Sequence, residues 1–188
     1  MRGTATLIAM TGLCGVMALC LHATHGLQRV ALAGTVQGHS LWTETKWPFL
    51  MDQWGEGKAF RCKAADCGAE LNLYIRAKVG FCSSTTGVAD DDELERLSDF
   101  DFMNGHAVAL AGGRNVDIAG MKGRIRAYTN AGPAGSRTAF SLVFNSGSDA
   151  LVATVIVNDG QPASVEPVVI QFLSGQTIQG WVKLTLGL

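Results

Sequence analysis

Thiols, imidazoles and carboxylates carry most side-chain chemistry, and this chain concentrates its thiols. Five Cys and four His occur in 188 residues. Cys62, Cys67 and Cys82 fall within FRCKAADCGAELNLYIRAKVGFC, and Cys14 and Cys20 lie in the first twenty residues. Three thiols are one too many for a single bridge. The spacing admits a disulfide, a metal site or a reactive thiol. In an oxidising compartment, paired cysteines are expected as disulfides. A loop clip joining Cys62 and Cys67 leaves Cys82 as the odd thiol, free or reactive. The chain-entropy model gives that small ring about 2 kcal/mol, against about 3 kcal/mol for a Cys62–Cys82 ring. Geometry therefore decides. A hairpin of 58–62 with 70–81 brings Cys62 and Cys67 within bridging reach and carries Cys82 along a long strand, away from both.

The alternative is a metal or thiol-redox protein using Cys62, Cys67 and Cys82. Zinc takes four N, S or O ligands, and C-x₄-C with Cys82 and His39 or His106 supplies a loose set. Copper would add Met51 or Met103 to the same thiols. No cofactor follows from the spacing, and zinc or copper belongs only to this alternative. Neither C-x-x-C nor C-x-x-C-H occurs, so the common redox and haem signatures are absent. A nucleophilic Cys82 would need a His base, and G-x-S-x-G is missing. No catalytic residue can be assigned, and the balance leans away from an enzyme.

Carboxylates cluster at Asp90-Asp91-Asp92-Glu93, then Asp99 and Asp101. Calcium is one reading, but Met103 holds the fifth loop position and no closing Glu follows. The other is a helix start, with Asp90 as cap and the acids facing solvent in the first turn, where the helix dipole favours them. Aromatic side chains form another group: Trp42, Trp47, Phe49 and Trp54 in WTETKWPFLMDQW. They are either a recognition surface or a plug over an open end of the fold.

Elements must hold these groups in place. The chain is 47% hydrophobic and 16% charged, with 23 Gly, 4 Pro and a net charge of −1. That excludes a disordered chain and gives nucleic acid no basic surface. Arg2 and the uncharged run from about Thr6 to Leu21 read as a secretory leader over residues 1–33, ending at Ala31-Leu32-Ala33. The alternative is an uncleaved membrane anchor, although the run is short of the roughly 20 residues a span needs. Without Arg2 and Arg29 the remainder, 34–188, has 13 basic and 16 acidic residues, a charge of −3.

Within 34–188 the pattern is mainly β. Residues 70–81 alternate strictly, with Leu71, Leu73, Ile75, Ala77, Val79 and Phe81 on one face and Asn72, Tyr74, Arg76 and Lys78 on a wet one. Residues 90–98 form the one helix. HAVAL and RNVDIA read as a hairpin about Ala111-Gly112-Gly113. GRIRAYT precedes a loop at 130–137, and TAFSLVF and ALVATVIVN read as central strands. EPVVIQFL and TIQGWVKLTL read as two more strands about Ser174-Gly175-Gln176. The sequence thus predicts one antiparallel β-sandwich or barrel-like domain with one short helix. Its role reads as an exported, periplasmic or secreted, non-enzymatic binding protein stabilised by one disulfide. It would work through loops at 40–60 and 82–105 on a protein, glycan or small ligand of the cell envelope, touching the membrane only through its leader.

Overall fold

The computed structural model describes residues 40–81, 87–100, 106–132 and 135–188. Eight antiparallel strands form one sheet, with helices on both faces. In chain order they are β1 (Trp42–Thr45), β2 (Lys58–Cys62), α1 (Ala64–Cys67), β3 (Glu70–Lys78), α2 (Asp91–Leu97), β4 (His106–Ala109), β5 (Arg114–Ile118), β6 (Met121–Gly132), β7 (Gly135–Ser146), β8 (Asp149–Asn158), α3 (Pro162–Leu173) and α4 (Gln176–Leu186). The strand order is β1-β2-β3-β8-β7-β6-β4, with β5 also paired to β6.

The hairpin expected around the cysteines is present. Cys62 pairs with Leu71 at its base and Lys58 with Ile75 at its far end. The turn is the single helical turn α1, stopped by Gly68 at φ +78°, whose N–H donates to the Ala64 carbonyl. That left-handed backbone favours glycine. β7 and β8 occupy the middle of the sheet and are buried on both faces, as their unbroken apolar runs imply.

Three local readings need correction. β4 and β5 do not pair with each other. β6 is long enough to carry both end to end, β5 along Met121–Ile125 and β4 along Tyr128–Ala131. The supposed loop at 130–137 belongs largely to β6 and β7, which stay in register to Gly132 and Gly135. The last two segments are helices, not strands. Val165, Val169 and Leu173 recur every four residues and are buried, as are Ile178 and Val182. That is a helical stripe. Val168, Val169 and Ile170 favour strands in isolation, but such preferences yield to packing.

The covering layers differ. On one face α3 and α4 pack on Leu71, Leu73, Ile75, Phe140, Leu142, Phe144 and Val155 in a continuous apolar core. Phe172 stacks on Trp42 with centroids 4.7 Å apart and meets Phe60 edge-on at 4.9 Å. On the other face α2 inserts Leu94 and Leu97 against Tyr128, Val143 and Val152. Here the wet face expected of β3 is closed over, and Arg76 and Lys78 are only 4% and 6% exposed.

Candidate recognition cleft

The second face holds the densest chemistry among the described residues. Asp90 accepts a hydrogen bond from the Glu93 N–H at 2.8 Å and caps α2 as its sequence predicts. The next carboxylate does not face solvent. Asp91 accepts from Arg124 Nε at 2.6 Å and from the Gly113 N–H at 3.0 and 3.1 Å. Arg126 reaches Glu95 at 2.6 Å and donates to the Ala111 carbonyl at 2.7 Å. The acidic run therefore docks α2 on a row of sheet arginines and ties down the Ala111–Gly113 connection. The Gly113 N–H and the Arg124 hydrogen bond hold the Asp91 carboxyl below its ordinary value, outweighing burial.

Beyond α2 lies a fully paired charge cluster. Arg76 donates through Nε and Nη2 to Asp99 at 2.8 and 2.6 Å, and through Nη1 to both oxygens of Asp52 at 2.8 and 2.7 Å. Lys78 donates to the Leu97 carbonyl at 2.6 Å and pairs with Asp99 at 2.8 Å. Asp99 is 6% exposed. A lone charge at that depth would cost several kcal/mol, so two cations on one carboxylate are the condition for burying it. Burial works against the charge of Arg76, but both carboxylates offset it and raise its pKa. Burial likewise opposes ionisation of Asp52. The Arg76 hydrogen bond, the Trp54 N–H and the charges of Arg76 and Lys78 overcome it and lower its pKa.

This cluster floors a cleft of about 360 Å³ lined by Asp52, Gln53, Trp54, Arg76, Lys78, Phe81, Arg96, Ser98 and Asp99. Trp54 and Phe81 meet edge-on at 4.9 Å. The Lys78 ammonium lies 5.9 Å from the Trp54 ring centre, and the Arg96 guanidinium 4.6 Å from that of Phe81. The two segments read as working loops, 40–60 and 82–105, thus both contribute walls. In the chain next to lining residues, Leu50 and Met51 precede Asp52 and are 92% and 71% exposed, and Val79 follows Lys78 and is exposed.

The aromatic residues divide. Trp42 and Trp47 are buried, whereas Phe49 and Trp54 are half-buried. Trp47 and Phe49 both pack edge-on against Tyr74, at 6.2 and 4.9 Å. A Cβ on Gly57 would meet the Trp47 ring at 2.7 Å and the Ile75 carbonyl at 2.3 Å, so only glycine lets that ring lie on the sheet. Trp54 alone of the three clustered tryptophans lines the cleft.

The cysteines divide too. Cys62 and Cys67 form a disulfide with Cα atoms 6.1 Å apart, both sulfurs buried beside the core. This bond withdraws both thiols from metal binding. Cys82, His39, Asp101, Met103 and the side chain of His106 lie outside the described residues. No group of three or more His, Cys, Asp or Glu able to hold a metal occurs among the described residues. Sequence reading took Arg76, Lys78 and Phe81 only as strand positions and passed over Asp52 and Arg96. For Arg76 and Lys78 the signal was charge complementarity with Asp99, about twenty residues later.

No protein-family model matches the chain, and no curated protein does. Two solved structures share its general outline. One is PA94 from Pseudomonas aeruginosa, a protein of unknown function described as a candidate regulator; it is 14% identical, with a TM-score of 0.43 over 72% of this chain and 95% of its own. The other is the cyanobacterial PsbP of Synechocystis, 11% identical, with a TM-score of 0.43 over 72% of this chain and 79% of its own. Both likenesses are too distant to bear on function.

Proposed function

We propose that the protein is an exported, non-enzymatic binding protein whose partner docks on the cleft between Trp54 and Arg96. One observation carries this reading: half-buried Trp54 and Phe81 meet edge-on over buried Arg76, Lys78 and Asp99, and the chain neighbours of this site, Leu50 and Met51 before Asp52 and Val79 after Lys78, are exposed. Apolar side chains grouped at the surface mark contact sites, and rigid aromatic anchors supply most contact energy. The floor suits holding rather than proton transfer. Asp52 is kept ionised by Arg76, and every floor charge has an opposite charge on it. The buried Cys62–Cys67 bond fits an oxidising compartment. No helix among the described residues is long and apolar enough to cross a membrane.

Two measurements test the reading. A photo-crosslinking residue at Leu50 or Met51 should give a discrete adduct in the extracytoplasmic fraction of native cells. The same residue at Lys183, exposed on α4 across the sheet, should give no such adduct. Equal labelling at all three positions, or none at any, rejects the docking site. Thiol titration of the unreduced protein from Gly34 onward should return one free thiol per chain. Three free thiols would place the protein in a reducing compartment and reject export.

A further inference from the structure

The outer side of α4, across the sheet from the cleft, is built unlike a water-facing helix. α4 turns Ile178 and Val182 to the core. Gln176, Gly180 and Leu184 fall two residues from that line, which places them on the opposite side of the helix, and all three are exposed. Leu184 is 86% exposed, and Leu188, just past the helix end, is 66% exposed. Gly180 stands in mid-helix, where glycine is a poorer choice than alanine. A Cβ there would meet nothing within 4 Å. Packing within the chain therefore does not call for glycine, whereas close approach by another backbone does. The layer is also poor in charge. Residues 162–188 carry two charged side chains, Glu166 and Lys183, and Glu166 pairs with Arg114. Water-facing surfaces are normally rich in charged residues, and the centres of protein interfaces are depleted of them.

We infer that this side of α4 is a self-association surface, on which a second copy of the chain lays its own α4 antiparallel about a two-fold axis. Leu184 of each copy seats in the notch over Gly180 of the other. Knob and notch lie one turn apart, so one two-fold axis between them satisfies both at once, as a contact between identical surfaces requires. Charge selects a second copy over other occupants. An acidic or basic partner meets no opposite field here. A bilayer surface draws on several Lys or Arg and would find Lys183 alone, on a domain of net charge −3 over 34–188. Two copies of this face oppose no carboxylates, and Lys183 lies off the line of Gly180 and Leu184. The area sets the strength. Helices of 12 and 11 residues are about 17 Å long and about 10 Å across, so α3 and α4 present a flat footprint of about 340 Å². Even with side-chain relief this falls short of the roughly 800 Å² per partner of a standard interface. The dimer is accordingly weak, with a Kd of about 10–100 μM.

Sedimentation equilibrium of the protein from Gly34 onward, at concentrations spanning that range, should show monomer passing to dimer. Leu184→Glu drives a charge into the notch and should leave monomer throughout, with unchanged unfolding in urea because the side chain is exposed. Gly180→Ala separates the interface from the fold. Alanine is the better helix former, so the urea midpoint measured on dilute monomer should rise, while the added methyl in the notch should weaken dimerisation at least about tenfold. A monomer at every concentration overturns the dimer. A dimer that neither variant weakens overturns this face. A dimer broken by Leu184→Glu but not weakened by Gly180→Ala overturns the seating of Leu184 over Gly180. A protein that stays monomeric yet binds phosphatidylcholine vesicles through Leu184 assigns the face to a bilayer and overturns the second copy. The crosslinking result at Leu50 and Met51 is independent of these outcomes, and a self-adduct through α4 is told apart from the cleft adduct by mapping the joined peptides.

Discussion

On the α3–α4 face, β3 presents Leu71, Leu73 and Ile75 to an apolar helix pair; on the α2 face the same strand presents Arg76 and Lys78 to Asp99, two residues past α2, and Arg76 also to Asp52. Both faces are buried, and both helical layers fix apolar side chains on the sheet. They differ in what a misplaced contact costs. An apolar contact that loosens loses area gradually, whereas Asp99 without its cations is an uncompensated charge in the interior. The α2 face is therefore the more specific docking and the more fragile. The largest test compares the two directly. Asp99→Ala leaves buried Lys78 without a carboxylate and Arg76 with Asp52 alone, and should cost about 3–5 kcal/mol in urea unfolding. Leu73→Ala removes comparable bulk from the other face and should cost about 2–5 kcal/mol, set by cavity size. A loss below about 1 kcal/mol for Asp99→Ala would show that the Asp99 cluster adds little, and that this face is held by Leu94, Leu97 and the pairs of Asp91 and Glu95.

The same contrast explains what could be read from the chain. The cysteine hairpin, the central strands and the Asp90 cap are local features, fixed by alternation, turn residues and one side chain. They were legible. The burial of Arg76 and Lys78 was not, because alternation reports which residues share a face and not what later covers it. The cover arrives in Asp99, 23 residues beyond Arg76, and in Asp52, 24 residues before it. The C-terminal helices were misread for another reason. Their β-branched residues favoured strands, and the four-residue spacing of Val165, Val169 and Leu173 was the stronger signal. The cleft was half legible: its loops were expected to work, but Trp42 and Trp47 pack inside and only Trp54 lines it.

The disulfide offers a control outside the comparison. It closes a six-residue ring at the β2–β3 turn, remote from Lys58 and Ile75 at the hairpin's other end. The double replacement Cys62→Ser with Cys67→Ser should cost about 2 kcal/mol, chiefly by freeing the unfolded chain. The cost in the Asp99→Ala background should simply add, since the sites share no partners. A cost that fails to add would mean that the hairpin transmits strain to the charge cluster.

Acid should separate the faces next. Asp52 and Asp91 have folded pKa values below their ordinary 3.8. A depressed carboxylate contributes stability that is complete above its unfolded pKa and lost as pH falls through the folded value. The α2 face should accordingly weaken from about pH 4 downward, while α3 and α4 keep their apolar contacts. Hydrogen exchange would show Leu94 and Leu97 amides losing protection before Val169 and Val182. Asp91→Asn should lower stability at neutral pH and flatten the acid limb. An unaltered acid limb in Asp91→Asn would assign the acid sensitivity to Asp52 alone.

Salt gives the smallest effect and the finest distinction, because it acts on exposed charges and spares buried ones. Within the α2 face, Arg126 and Glu95 are partly exposed, with side-chain accessibilities of 18% and 45%, while Arg76 and Asp99 stand at 5% and 6%. Raising NaCl to about 1 M shrinks the screening length to about 3 Å. The Arg126–Glu95 pair should then lose most of its few tenths to 1 kcal/mol, and the Arg76–Asp99 pair very little. Arg126→Gln should therefore be less stable than the unaltered protein at low salt and nearly equal to it at high salt. Asp99→Ala should keep its deficit at both. If high salt rescues Asp99→Ala as well, water reaches the cluster floor, and the cleft is a solvated surface whose charges are open to a partner. If it does not, the floor is a fixed support, and the proposed docking rests on the aromatic walls, Trp54 and Phe81.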